Sequence, residues 1–219
     1  IRDRTTVKPE FINITSSSTS LFSDLKSFKA SYDTVVSRNQ FVYLVTNEND
    51  AAILSMINRF DKTLLDINLR MQTGLIVDFR TREVLRNQLE EDSYPLLYSQ
   101  HIKNGRVVWP LGKEGEVIKT DRMSFLQENS DFLMVKRFTS KEEERRLQCG
   151  IYLKQRFPQF QYISTQNKIN FIKCDSTCIA YGLFVLLNSS FYDKYYRILN
   201  GSTQVNSCLL YTSDAADDL

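Results

Sequence analysis

A chain of 219 residues, 42% apolar and 25% charged with a net charge of +2, has material for one large domain or two small ones with a buried core. No apolar run approaches the roughly 20 residues of a membrane span, and no signal-peptide pattern opens the chain, so neither a membrane role nor secretion is expected. The cysteines are Cys149, Cys174, Cys178 and Cys208, and His101 is the only histidine, so no metal site is expected and reduced thiols point to the cytoplasm.

In chain order, Phe11-Ile12-Asn13-Ile14-Thr15 has the β-branched character of a strand, and Ser16 to Ser20 reads as a polar loop. Phe41-Val42-Tyr43-Leu44-Val45 is the next predicted strand. From Asn49 to Leu65 the residues Ile53, Leu54, Ile57, Phe60, Leu64 and Leu65 recur at helical spacing, which predicts an amphipathic helix capped by Asn49 or Asp50. Gly74 permits an unusual turn ahead of a strand over Leu75 to Phe79, and Thr81 to Leu89 reads as a short helix. Asn104-Gly105 between two apolar stretches predicts a hairpin turn that brings His101 and Trp109 near one another. Trp109 beside Pro110 is a stacking platform for a base or sugar, or simply core; the core reading is preferred.

Phe132-Leu133-Met134-Val135 reads as a buried strand that delivers Lys136 and Arg137 at its end. Ser140 stands three residues before Glu143, the spacing of a capping box, with Glu142 to Glu144 in the first turn and Arg145 and Arg146 beyond. A strand running into a capped, basic helix is either a phosphate-contact corner or a surface helix with solvated charges. Gln161 to Ser164 and Ile169 to Ile172 look like two strands around the turn Thr165-Gln166-Asn167-Lys168. Its Asn and Gln suit the donor–acceptor edge of adenine and suit a tight turn equally. Thr177 to Leu187 is a predicted buried helix. A second, marked by Phe191, Tyr192, Tyr195 and Tyr196, stops before the polar loop Asn200 to Asn206.

The string from Cys208 to Leu219 reads as a translated sequencing-library adapter and is set aside as foreign. Asp214, Asp217 and Asp218 leave with it, so 28 basic side chains face 23 acidic ones and the net charge becomes +5. A mildly basic chain permits a nucleic-acid partner. There is no phosphate-cradling glycine loop, no HExxH pair and no GxSxG elbow, and the run Glu90-Glu91-Asp92 reads as solvated. With no catalytic constellation in view, the chain reads as a binder.

Several of these pieces, in order, resemble the C-terminal half of single-chain bacterial N6-adenine DNA methyltransferases of the restriction–modification type. They are Thr73-Gly74-Leu75-Ile76-Val77-Asp78-Phe79-Arg80, Pro95-Leu96-Leu97-Tyr98, His101 to Pro110, and Val135 to Glu143 with Arg145-Arg146. Leu187-Asn188-Ser189-Ser190, Tyr196-Arg197 and Asn200 to Asn206 complete the set. Where the family often has Glu-Asn-His-Leu-Asn, this chain has Gln166-Asn167-Lys168-Ile169-Asn170, so only Asn167 and Asn170 carry over.

The resemblance implies that residues 1–65 are the trailing end of a catalytic domain plus connector and that 66–207 form a DNA target-recognition domain. The family's S-adenosylmethionine loop and Asn-Pro-Pro-Tyr motif do not occur here, which places cofactor and catalysis in the full-length protein and leaves the fragment inactive. Double-stranded DNA is the implied partner, with a restriction nuclease fused or encoded nearby. Lys136, Arg137, Lys141, Arg145 and Arg146 become the phosphate candidates. Thr73, Arg80, Asn167, Asn170, Thr203 and Gln204 become candidates for closer backbone or base contacts. The alternatives are a stand-alone DNA-binding specificity subunit and a structural or protein-interaction domain. The fold expected is α+β, with mixed, largely antiparallel strands, packed helices and a terminal helical pair.

Overall fold

The computed structural model describes residues 7–37, 41–140, 143–199 and 205. In chain order it forms β1 (Phe11–Ser16), β2 (Lys26–Ser31), α1 (Tyr32–Val35), α2 (Glu48–Ile57), β3 (Met71–Thr73), β4 (Leu85–Arg86), β5 (Ser93–Leu97), β6 (Ile102–Lys103) and β7 (Arg106–Val107). There follow β8 (Val117–Lys119), β9 (Gln127–Glu128), β10 (Asp131–Lys136), β11 (Cys149–Tyr152), β12 (Tyr162–Thr165), β13 (Ile169–Cys174), α3 (Thr177–Leu187) and α4 (Ser190–Leu199). The fold is α+β, with mixed, largely antiparallel sheets and two helices at the end.

Three sheets form. β1 and β2 make a ribbon, a six-stranded sheet runs β3-β13-β10-β11-β7-β6, and a five-stranded sheet runs β4-β8-β5-β12-β9. Only β11–β7 and β12–β5 pair parallel among the named strands. The unbroken apolar run of β10 follows from burial on both faces. Leu133 and Val135 point into a cluster shared with Ala180, Leu183 and Leu187 of α3 and with Tyr192, Tyr195 and Tyr196 of α4. The alternating Phe132 and Met134 enter a second cluster with Tyr152, Phe171, Leu97 and Ile163, the last two from the five-stranded sheet. Val45, Ile53 and Leu54 join the first cluster, so this core takes in residues from both sides of the expected 65/66 boundary.

Several local expectations change on contact with tertiary packing. The predicted helix from Asn49 is α2, capped by Asn47 and ending at Ile57, because beyond it Phe60 is 64% exposed and has no core to face. Of the strand over Phe41 to Val45, only Val42 makes a bridge, to Val36, while Leu44 N–H bonds the Ile198 carbonyl at the end of α4. Leu75 to Phe79 contributes one bridge at Ile76 and then turns into a 3₁₀ segment, Asp78–Arg80. The helix over Thr81 to Leu89 is a 3₁₀ turn, Arg82–Val84, followed by β4, whose pairing with β8 claims the backbone.

The hairpin forms as read: β6 and β7 pair antiparallel, with Asn104 at φ 50° and Gly105 at φ 76°. His101 and Trp109 meet through a third residue, Glu116. Its buried carboxylate accepts from His101 Nε2 at 3.0 Å, Leu111 N at 2.9 Å and Gly112 N at 2.7 Å, and its carbonyl accepts from Trp109 Nε1 at 2.9 Å. His101 Nδ1 accepts the Tyr98 N–H at 2.7 Å, which leaves the proton on Nε2 and the ring neutral. Burial holds the His101 pKa below its ordinary value, against the pull of Glu116. Burial also works to raise Glu116, but the bonds from His101 and the loop amides outweigh it and leave this carboxyl below its usual range.

Both groups therefore bind protons more readily unfolded than folded. The stability held by His101 is complete above about pH 6.5, its unfolded value, and declines as pH falls towards the folded pKa. Glu116 adds a further loss below about pH 4.5. The urea midpoint is expected to fall between pH 7 and 5, and His101→Gln, which removes the only histidine, should flatten that slope. An unchanged slope in the variant would show that His101 is not its source.

Candidate functional site

Four of the sequence-derived candidates, Thr73, Arg137, Asn167 and Asn170, meet at the turn between β12 and β13. These strands do not pair with each other: β12 lies in the five-stranded sheet and β13 in the six-stranded one. Residues 165–168 carry the chain from one sheet to the other, and every side of the turn is fastened. Gln166 N bonds Leu97 O, Ile76 N bonds Thr165 O, and Asn167 N bonds Ile76 O, at 2.8–2.9 Å. On the far flank, Arg137 N donates to Lys168 O at 2.9 Å and Arg137 Nη1 donates to Asn167 O at 3.2 Å.

Gly74 makes this closeness possible. A Cβ built there would lie 2.1 Å from the Gln166 carbonyl oxygen, a backbone atom that cannot swing aside. Thr73 Oγ1 donates to Asn170 Oδ1 at 3.0 Å, and Asn170 Nδ2 donates to Val205 O at 2.8 Å. Val205 N in turn bonds Arg137 O at 2.7 Å. Thr73, Arg137, Asn167 and Asn170, scattered in sequence, thus form one corner, which Val205 closes.

Their roles in it differ. Asn170 is fully buried and spends its amide on Thr73 and Val205, so it braces the corner from within. Asn167 is half-buried with both backbone groups engaged, and its side-chain amide makes no hydrogen bond among the described residues. Lys168 beside it is exposed. Lys136, opposite Ile169 in the β10–β13 register, donates to Gln148 Oε1 at 2.8 Å. Arg80 is exposed at the end of the 3₁₀ segment, its guanidinium 5.4 Å from the Phe79 ring centre.

Arg145 and Arg146 lie apart from this corner, in a segment that is not the predicted helix. Residues 143–148 are irregular, although Ser140 N does bond Glu143 Oε1 at 3.1 Å, half of the capping box. Tertiary partners claim the backbone instead. The Asp193 carboxylate, buried on α4, accepts from Arg146 N at 2.7 Å and Leu147 N at 3.4 Å, and Arg197 Nη2 reaches the Glu143 and Glu144 carbonyls. Arg146 is 2% exposed and exchanges hydrogen bonds with Thr139, while Arg145 bonds the Asn188 carbonyl at the end of α3. Both arginines strap the β10–β11 connection to the helical pair, and the buried Arg146 offers no guanidinium to a phosphate. Lys141, Thr203 and Gln204 lie outside the described residues.

The sequence reading placed Gln166 in the turn and Arg197 in the family resemblance without making either a site candidate, and it passed over Asp193. The Asp193–Arg197 pair carried a legible signal, opposite charges four residues apart on a helix; nothing local marked Gln166 for its bonds to Leu97 and Asp78. At Gly74 the Gln166 backbone fills the space a side chain would occupy. Gly74→Ala should cost about 1–3 kcal/mol through overpacking, read as a lowered urea midpoint; an unshifted midpoint would show that the turn yields freely.

No protein-family model matches the chain. It is 32% identical over 194 residues to the Type II methyltransferase M.PstI of Providencia stuartii, across 82% of this chain and 38% of that protein. It is 32% identical over 212 residues to the Type II methyltransferase M.BsuBI of Bacillus subtilis, across 93% of this chain and 42% of that protein. The chain spans about two fifths of the length of these curated relatives. Over most of its own length, it is homologous to these Type II methyltransferases.

Proposed function

We propose that this chain is the DNA target-recognition part of a site-specific, S-adenosylmethionine-dependent adenine-N6 DNA methyltransferase of a restriction–modification system, with residues 66–207 as the recognition domain. The observation that carries this reading is the fastened corner. A turn pinned on both flanks leaves Asn167 half-exposed and Lys168 exposed, and the adjoining 74–82 arm presents Arg80. Rigid backbone bearing a free amide beside exposed cations is what base reading requires. The cations hold register on the phosphates, and an amide can bond an adenine edge in two places. Homology to Type II methyltransferases supplies the chemical context.

In this reading the corner grips duplex DNA so that the target adenine can be turned out of the helix towards a catalytic site elsewhere in the longer protein. Cofactor binding and methyl transfer belong to that site. Arg137 and Asn170 act as positioning residues, Arg137 holding the turn and Asn170 holding Thr73 and Val205. Cytoplasmic location and a nuclease partner, fused or encoded nearby, accompany the proposal.

Titrating the 219-residue chain with random-sequence duplex between about 50 and 200 mM salt tests the reading by fluorescence anisotropy. Log affinity should fall linearly with log salt, and Lys168→Ala and Arg80→Ala should each reduce the slope by about 1 while weakening all sequences alike. Salt-independent retention, or no retention at all, would overturn it.

A further inference from the structure

Behind the 74–82 arm lies an open cleft of about 610 Å³, within the roughly 300–1,000 Å³ of small-ligand sites. One wall is the arm, with Asp78, Phe79 and Arg82; the other is Tyr98 and the Lys113–Gly115 loop. Both walls are braced. Gly115 N donates to Asn87 Oδ1 at 2.8 Å, Tyr98 Oη donates to Gly115 O at 3.0 Å, and the buried Glu116 carboxylate anchors the preceding amides.

The lining combines three chemistries. Phe79 is a 63% exposed aromatic face at the rim. Arg82 is an exposed cation with no ion pair among the described residues, and Lys113 sits 4.0 Å over the Tyr98 ring. Asp78 has no cationic partner among the described residues. Its oxygens accept only from Phe79 N at 3.0 Å and from Gln166 Nε2 at 3.1 Å, one bond each, so each keeps a lone pair for a further donor. Asp78 also helps raise the Tyr98 hydroxyl, pushed to about 12 by burial first and by the Asp78 and Glu116 charges next. Gln166 is therefore shared: its backbone makes the corner and its side chain holds the carboxylate of the cleft.

We propose that this cleft is a nucleotide site that takes an unpaired guanine nucleotide of a DNA strand. The base stacks on Phe79, its adjacent N1–H and N2–H groups donate to Asp78, and its phosphate lies against Arg82 and Lys113. Guanine is the base whose pairing edge offers two neighbouring donors, the complement of a carboxylate. A guanine still in the duplex spends that edge on cytosine. The proposal rests on the DNA-recognition reading above and extends it from the outer corner to the cleft behind it.

The test compares three duplexes binding the full chain: fully paired, with one bulged deoxyguanosine, and with one bulged thymidine. The expected result is roughly tenfold tighter binding of the deoxyguanosine bulge than of the other two. Phe79→Ala should abolish that preference, read as the ratio of deoxyguanosine-bulge to paired-duplex affinity within the same variant. Asp78→Asn should also abolish it, with circular dichroism confirming the fold. Equal affinity for the two bulges, or a preference that survives Phe79→Ala, overturns the cleft while paired-duplex binding upholds the recognition reading. Binding of the deoxyguanosine bulge without any paired duplex overturns the recognition reading and upholds the cleft. Binding of none of the three overturns both.

Discussion

Backbone packed on backbone at Gly74 is the constraint on which the rest depends. Two sheets share one connection there, and that connection must pass close enough to the end of β3 for hydrogen bonds to reach it from both sides. Any Cβ at Gly74 would occupy the place of the Gln166 carbonyl. With hydrogen there instead, Gly74 N bonds Ile169 O and Ile76 N bonds Thr165 O, so one short segment stitches both ends of the turn. The six-stranded sheet receives β13 in register because of this stitch, and the five-stranded sheet keeps β12 against β5.

The same geometry sorts the positive charge. Among the described residues, the basic side chains that cluster in the sequence between 136 and 146 are buried or half-buried. Arg146 is enclosed beneath α4, its guanidinium bonding the Thr139 carbonyl and its backbone N–H the Asp193 carboxylate, and the half-buried Arg145 closes the end of α3 on the Asn188 carbonyl. Arg137 lies along the turn. Among the described residues, the outward cations on this side are Lys168, Arg80 and Arg82, contributed by two segments far apart in sequence. Under the proposed function, affinity comes from these exposed groups, and the arginines of the 137–146 segment supply the rigidity that lets the exposed groups keep their positions. Gln166 couples the two proposed contact regions, because one residue sets both the path of the turn and the orientation of Asp78.

Much of the fold was legible where short-range chemistry decides it. The Asn104-Gly105 turn, β10 and the span of α3 follow from a turn dipeptide, a doubly buried apolar run and a dense apolar helix with Ser176 as its cap. But α3 is not the buried helix expected: it buries Ala180, Leu183 and Leu187 on one face and leaves Tyr181 and Val185 exposed on the other. The site was legible in part. Four of its candidates meet at one corner, yet nothing local distinguished the buried Asn170 from the half-buried Asn167, three residues away on the same turn and strand. The capping-box spacing at Ser140 and Glu143 was real and formed its hydrogen bond, but no helix follows it in the described residues because Asp193 and Arg197 hold the backbone elsewhere.

By itself, the sequence determined the fold class, the places where the chain turns, and many of the apolar positions that must be buried, because each depends on neighbours a few residues away. Tertiary structure alone decided that β12 and β13 belong to different sheets, that Arg146 faces inward, and that Thr73, Asn170 and Arg137 share a corner. Those outcomes rest on contacts between groups 97 residues apart for Thr73 and Asn170, 88 for Asp78 and Gln166, and 47 for Arg146 and Asp193. Such pairs leave no periodicity or local spacing in the chain, since the energy that selects them appears only once the sheets and helices have packed.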